Sequence, residues 1–192
     1  MPNDTRTDAA ILERFAEIVA TSLRIDASQV TEDAYLDDLG AESLDLLEIT
    51  MEAEEEFSIL IPQKNILQTA QEVVGEGVLV RDGRLTDAGT RLLRSRLPEF
   101  APPEGGELSV AQLNRTFMQV GTWVRMISRL VEHTPTACPC CGAPFGKQLA
   151  GRLKCQACAA EHDIPSGDDL NRAWVDQYCR DEFHLPPAPP AT

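Results

Sequence analysis

The sequence predicts a mainly α protein that carries a small β module towards its C-terminal end. Three observations support this class. Apolar residues recur at helical spacing in several separate windows. Asp82-Gly83, a strong hairpin dipeptide, sits between two of those windows. Six cysteines (Cys138, Cys140, Cys141, Cys155, Cys158 and Cys179) all fall in the last third, four of them as two C-x-x-C pairs.

The elements follow in order. Residues 8–24 place Leu12, Phe15, Ile18, Val19 and Leu23 at helical spacing. A polar loop leads to Asp37-Asp38-Leu39-Gly40, and residues 42–57 read as a second helix. Pro62 follows a short extended exit and can open a helix at its first turn. Residues 63–76 are helical with weak patterning, and 77–86 form a hairpin. Thr86-Asp87 starts a helix through Leu97, which Pro98 helps to end. Residues 98–107, rich in Pro, Gly and Glu, are expected as a surface loop. Residues 109–132 are expected as one long amphipathic helix with Leu113, Phe117, Val120, Val124, Ile127 and Leu130 on its apolar face. Ser166 to Asp169 reads as the cap of a helix running to about Phe183, and the Pro-rich residues 186–192 as a disordered tail.

Composition excludes several classes. No apolar run approaches the roughly 18 residues that span a bilayer. The first ten residues lack a basic segment followed by an apolar one, so a soluble, cytoplasmic protein is expected. The net charge of −14 is concentrated: residues 1–80 hold 18 acids against 4 bases, while 81–192 hold 13 of each. Such a field repels nucleic acid and anionic membranes and attracts basic protein surfaces.

Ser43 stands at the head of an acidic helix. A helix N-terminus carries partial positive charge and free N–H groups, so a phosphodiester on Ser43 would be well placed. On a helical projection Asp45, Glu48, Glu52, Glu55 and Glu56 share roughly a third of the circumference, and residues 43–57 contain no Lys or Arg. Like charges three and four apart do not stabilise a helix. Recognition of a basic partner explains the stripe better than a mixed-sign solvated face would.

The segment from Asp37 to Pro62 resembles the acyl carrier protein family. A D-x-L-G loop precedes a Ser-Leu pair, then comes a helix with an acidic face ending in Glu54–Glu56 and Phe57, then a short exit to Ile61-Pro62. Glu42 stands where the family usually has Asp. The resemblance covers about residues 8–66. It implies a helical bundle and a 4'-phosphopantetheine arm attached to Ser43 by a phosphopantetheinyl transferase. It also implies acyl-processing partner enzymes whose basic surfaces dock on Leu44, Asp45, Glu48, Glu52, Glu55 and Glu56. Ser43 would be an attachment point and the chain a carrier, not an enzyme, serving fatty acid biosynthesis or another acyl, polyketide or aminoacyl pathway. The family's closing helix matches Phe117–Ile127 better than Thr69–Val74, which makes 67–110 an insertion holding the hairpin and a helix. Specialised carriers of very-long-chain fatty acids are similar in carrying an insertion there. Ala53 stands where a larger apolar residue is expected and would enlarge a cavity for a long chain.

Cys138, Cys141, Cys155 and Cys158 have the spacing of a closed four-thiolate Zn²⁺ site in a zinc-ribbon module. Iron in a similar site or a redox dithiol are the alternatives, and Cys140 is an extra thiol that could replace a neighbour. His133 and His162 flank the site and read as surface histidines, and Cys179 as buried packing. Lys147, Arg152 and Lys154 are too few for a nucleic-acid patch.

The expected organisation is a carrier domain over 1–135, a zinc-ribbon module with its C-terminal helix over 136–185, and the tail. A second reading is an adaptor with a carrier-like bundle and structural zinc that never receives the arm. A third, a zinc-ribbon nucleic-acid binder, is opposed by the acidic N-terminal segment.

Overall fold

The computed structural model describes residues 7–98, 100, 110–146 and 151–183. The expected loop at 98–107 lies largely outside these residues, and the Pro-rich tail lies wholly outside them. The chain is mainly helical with two small antiparallel ribbons, as the sequence predicts. Its described parts form two compact units. One joins residues 1–61 to 117–166, and the other joins 62–116 to 167–192.

The first unit is a helical bundle followed by the cysteine module. Helix α1 (Asp8–Leu23) is capped by the Thr7 hydroxyl, which accepts from the N–H of Ala10 at 3.3 Å, and ends at Arg24 in the left-handed region. Such a cap contributes about 1 kcal/mol. Helix α1 buries Ile11, Phe15, Ile18 and Val19, while α2 (Ser43–Phe57) buries Ile49 and Ala53. The third bundle helix, here α6, is Val120–Glu132. It buries Val120, Val124, Ile127, Leu130 and Val131, and its Trp123 ring stacks on Phe15 with centroids 5.4 Å apart.

The expected continuous helix over 109–132 is broken into α5 (Val110–Met118) and α6 by Gln119, whose backbone is extended. The cause is tertiary. The N–H of Leu36 donates to Met118 at 2.9 Å, and the N–H groups of Val120 and Gly121 donate to Ala34 and Glu32, both at 2.9 Å. These bonds hold the 32–41 loop against the start of α6. Gly121 lets the loop approach closely, since a Cβ there would lie 2.9 Å from Glu32 Cγ and 3.1 Å from Glu32 O.

The second unit contains α3 (Ile66–Val74), the β1–β2 hairpin (Val80–Arg81, Arg84–Leu85), α4 (Asp87–Arg96) and α7 (Gly167–Phe183). The hairpin forms at Asp82-Gly83, both with positive φ, as a type I′ turn needs. Pro62 does not open α3. Asn65 caps that helix, its side chain accepting from Gln68 N–H at 2.9 Å. Helix α7 packs against α3, within the second unit, and not with the cysteine module. Asp168 near its start accepts from the N–H groups of Gln63 and Lys64, and Arg96 lies 5.0 Å over the Trp174 ring.

Candidate functional site

Ser43 is the first residue of α2 and is exposed. The loop before it is held by short-range bonds, with Gly40 N–H donating to Asp37 and Ala41 N–H to Leu36, whose side chain is fully buried. Gly40 has φ +94, yet a Cβ there would meet nothing within 4 Å. Its backbone angle, and not crowding, calls for glycine. The Ser43 hydroxyl is thus presented on a fixed turn, with the positive end of α2 behind it.

The predicted contact residues divide. Leu44 is 80% exposed, and Glu48, Glu52 and Glu55 are exposed beside it. Asp45 is half-buried, and its carboxylate accepts from the N–H of Glu42 at 2.7 Å, closing the start of α2. Glu48 also accepts from the Ser22 hydroxyl at 3.1 Å. Glu56 accepts from Arg14 Nε at 2.9 Å and Nη2 at 2.7 Å, which raises the Arg14 guanidinium pKa. The stripe read as free of bases is therefore partly neutralised from α1.

Sequence reasoning missed two residues on this face. Leu47 and Met51 are 57% and 61% exposed, and with Leu44 they form an apolar ridge lined by Glu48, Glu52 and Glu55. Their i, i+3, i+7 spacing was the available signal. The burial of Ile49 and Ala53 places them opposite the core.

The four paired cysteines come together. The sulfurs of Cys138, Cys141, Cys155 and Cys158 all lie within 4.8 Å of one another. Cys138 and Cys158 are 3.7 Å apart, and Cys141 and Cys155 are 3.4 Å apart. A tetrahedron with metal–sulfur bonds of about 2.3 Å has edges of about 3.8 Å, so the cluster has the dimensions of a four-thiolate site. Two matched turns build it. Gly142 N–H donates to Cys138 O, and Ala159 N–H to Cys155 O, with positive φ at Gly142 and Ala159. Strands β3 (Arg152–Lys154) and β4 (Glu161–Asp163) form the ribbon, with Leu153 opposite His162.

Burial pushes the Cys138 thiol up, but N–H donation from Cys140 and Cys141, aided by His162 and Cys158, brings it down to about 6. Cys155 is lowered chiefly by the N–H of Cys158. The N–H of Ala143 favours the Cys141 thiolate, but the thiols packed around it, Cys155 first, push it up to about 12. In each pair one thiol is thus lowered, and the four sulfurs lie close enough together to hold a metal ion.

His162 is not a free surface histidine. It is half-buried, with Nε2 3.4 Å from Cys138 Sγ and its ring edge on Phe145. Cys140 groups with Cys138 and His162. His133 ends α6 and is exposed, and Cys179 is buried as expected. Arg152 is paired with Glu161 and Asp163, and Lys147 lies outside the described residues. Among the described residues, no helix is long and apolar enough to cross a membrane.

Comparison with known proteins singles out the segment from within α1 to the end of α3. A family model described as a phosphopantetheine attachment site matches residues 13–75. The acyl carrier protein of Helicobacter pylori is 40% identical over 73 residues, which is 38% of this chain and 88% of that protein. No solved structure gives a significant match.

Proposed function

The chain belongs to the acyl carrier protein family, and on that premise we propose that Ser43 carries a 4'-phosphopantetheine arm and that the protein presents a thioester-bound acyl group to other enzymes. The observation that carries this reading is Ser43 itself, exposed on a fixed turn at the head of α2 inside the family-matching segment. A phosphopantetheinyl transferase would supply the arm from coenzyme A. The Ser43 oxygen attacks the phosphorus bearing the pantetheine, an Oγ–P bond forms, the pyrophosphate P–O bond breaks, and adenosine 3',5'-bisphosphate leaves. The transferase takes the hydroxyl proton. This chain supplies position only: the turn holds the oxygen out, and the helix dipole favours the phosphodiester that results. Family members are generally carriers and not enzymes, and the same role is assigned here, in the cytoplasm.

Partner enzymes dock on the ridge of Leu44, Leu47 and Met51 with Glu48, Glu52 and Glu55 around it, through apolar contact at the centre and basic residues at the rim. Asp45 and Glu56 shape this face from its edge. The cysteine cluster binds Zn²⁺ through Cys138, Cys141, Cys155 and Cys158. Four thiolates close the coordination sphere, so the role is structural. Metal analysis of the purified protein is expected to give one zinc per chain, lost in Cys155→Ser.

Intact mass after incubation with coenzyme A and a broad-specificity transferase tests the carrier role. One added phosphopantetheine, absent in Ser43→Ala, is the expected result. No addition to the folded protein would refute it.

A further inference from the structure

The four-cysteine site leaves Cys140 unused. This thiol is exposed, in the turn between Cys138 and Cys141 that the N–H of Gly142 closes by donating to Cys138 O at 2.8 Å. The half-buried His162 reaches the same turn from strand β4. Among the described residues, two groups have the dimensions to hold a metal ion. One is Cys138, Cys141, Cys155 and Cys158, and the other is Cys138, Cys140 and His162. The two groups share the Cys138 sulfur.

In the second group the three donor atoms all lie within 4.8 Å of one another. Cys138 Sγ and His162 Nε2 are 3.4 Å apart. A tetrahedral ion with a metal–sulfur bond of about 2.3 Å and a metal–nitrogen bond of about 2.0 Å spaces two such atoms by about 3.5 Å. His162 is held in this position from two directions. Its backbone pairs with Leu153 in the ribbon, and its ring meets Phe145 edge-on with centroids 5.4 Å apart. Thiolate and imidazole are both ordinary zinc ligands. Electrostatics favours a second cation as well, because a zinc ion on four thiolates leaves a net negative charge beside Cys140.

We propose that Cys138, Cys140 and His162 form a second Zn²⁺ site, joined to the first through the Cys138 sulfur as a bridging ligand. The bridging sulfur keeps its bond to the first ion and gives a further lone pair to the second. Cys140 binds as thiolate and releases its proton to solvent, and His162 binds through Nε2 as the neutral imidazole. A shared sulfur permits the separation of about 3.5–4 Å found between paired metal ions. Three protein donors leave the fourth position to water on the exposed side of Cys140. The second ion is therefore exchangeable, while the first is closed by four thiolates. These residues lie outside the family-matching segment, so the site belongs to this chain's own module. The inference rests on the zinc reading of the four paired cysteines.

The test uses the full-length protein and counts bound ions by native mass spectrometry, first as purified and then with zinc in excess. Wild type is expected to hold one ion as purified and two in excess zinc. Cys140→Ser and His162→Gln are each expected to keep the first ion and lose the second. Loading with cadmium-113 gives an independent readout. Two NMR resonances are expected in wild type, the second at lower shift because nitrogen and oxygen replace two of its four sulfurs, and that second resonance should be missing from both variants. A single ion in wild type under excess zinc would overturn the proposal and leave His162 as a hydrogen-bond partner of the Cys138 sulfur. A second ion that survives in either variant would lie elsewhere and overturn it equally. In both cases the four-cysteine site would stand. No bound ion at all in the folded protein would overturn the four-cysteine site together with the second one.

Discussion

The start of α2 and the cysteine module each grow from a short local motif, yet different forces hold them. The 32–41 loop is tied by backbone hydrogen bonds to residues 118–121 and rests on an apolar core that includes Leu36, Phe15 and Ile49. The module has little such support. Among its described residues the buried side chains are Leu153, Ile164, Cys138 and Cys155. A segment with so few buried aliphatics needs another source of order, and the clustered cysteines supply one when a cation joins them. The bundle is thus expected to stand without ligand, and the module to depend on one.

On the proposed zinc site, the largest effect should come from removing the metal. A structural zinc site contributes about 10–16 kcal/mol of apparent binding free energy at neutral pH. Chelation or Cys155→Ser is expected to broaden or collapse the NMR signals of Leu153 and Ile164, while those of Ile11, Phe15 and Ile49 persist. Lowering the pH should act in the same direction, because the ligands bind only when deprotonated. Loss of the bundle signals in parallel would erase the distinction between the two regions.

Next in size is the bundle core. Phe15→Ala removes a fully buried ring stacked on Trp123 and is expected to cost about 3–5 kcal/mol in denaturant unfolding. Its zinc content should not change. Gly121→Ala probes the tie between the loop and α6. The added methyl would sit 2.9 Å from Glu32 Cγ and 3.1 Å from Glu32 O, and a loss of about 1–3 kcal/mol is expected. An unchanged midpoint would mean that the loop gives way freely and does not fix Ser43.

The smallest effects belong to the exposed face. Met51→Ala or Glu52→Lys should leave stability within about 0.5 kcal/mol. Each should reduce kcat/KM of the phosphopantetheinyl transferase by about three- to tenfold. The Glu52→Lys defect should shrink at high salt, because rim charges are screened. Equal rates for wild type and both variants would remove α2 from the docking surface.

The same contrast explains what the sequence could and could not reveal. Ser43 and the four paired cysteines were legible because their geometry is set within a few residues: a turn and a helix start in one case, two C-x-x-C turns in the other. The hairpin at Asp82-Gly83 was legible for the same reason. The break at Gln119 was not, because it is imposed by partners some 85 positions earlier, Ala34 and Glu32 among them. Pairing of α7 with α3 joins segments about a hundred residues apart, and no local pattern announces it. Leu47 and Met51 were passed over since apolar residues at helical spacing usually face a core. His162 reads from the sequence as a surface histidine, since only the β3–β4 register brings it to Cys138.

The most direct measurement is to locate the arm by fragmentation mass spectrometry after treatment with coenzyme A and transferase. A single phosphopantetheine on the peptide containing Ser43, released as the characteristic pantetheine fragment and missing in Ser43→Ala, is the predicted result. An unmodified Ser43 in a folded, metal-loaded protein, or an arm on any other residue, would contradict the assignment of Ser43 as the carrier site.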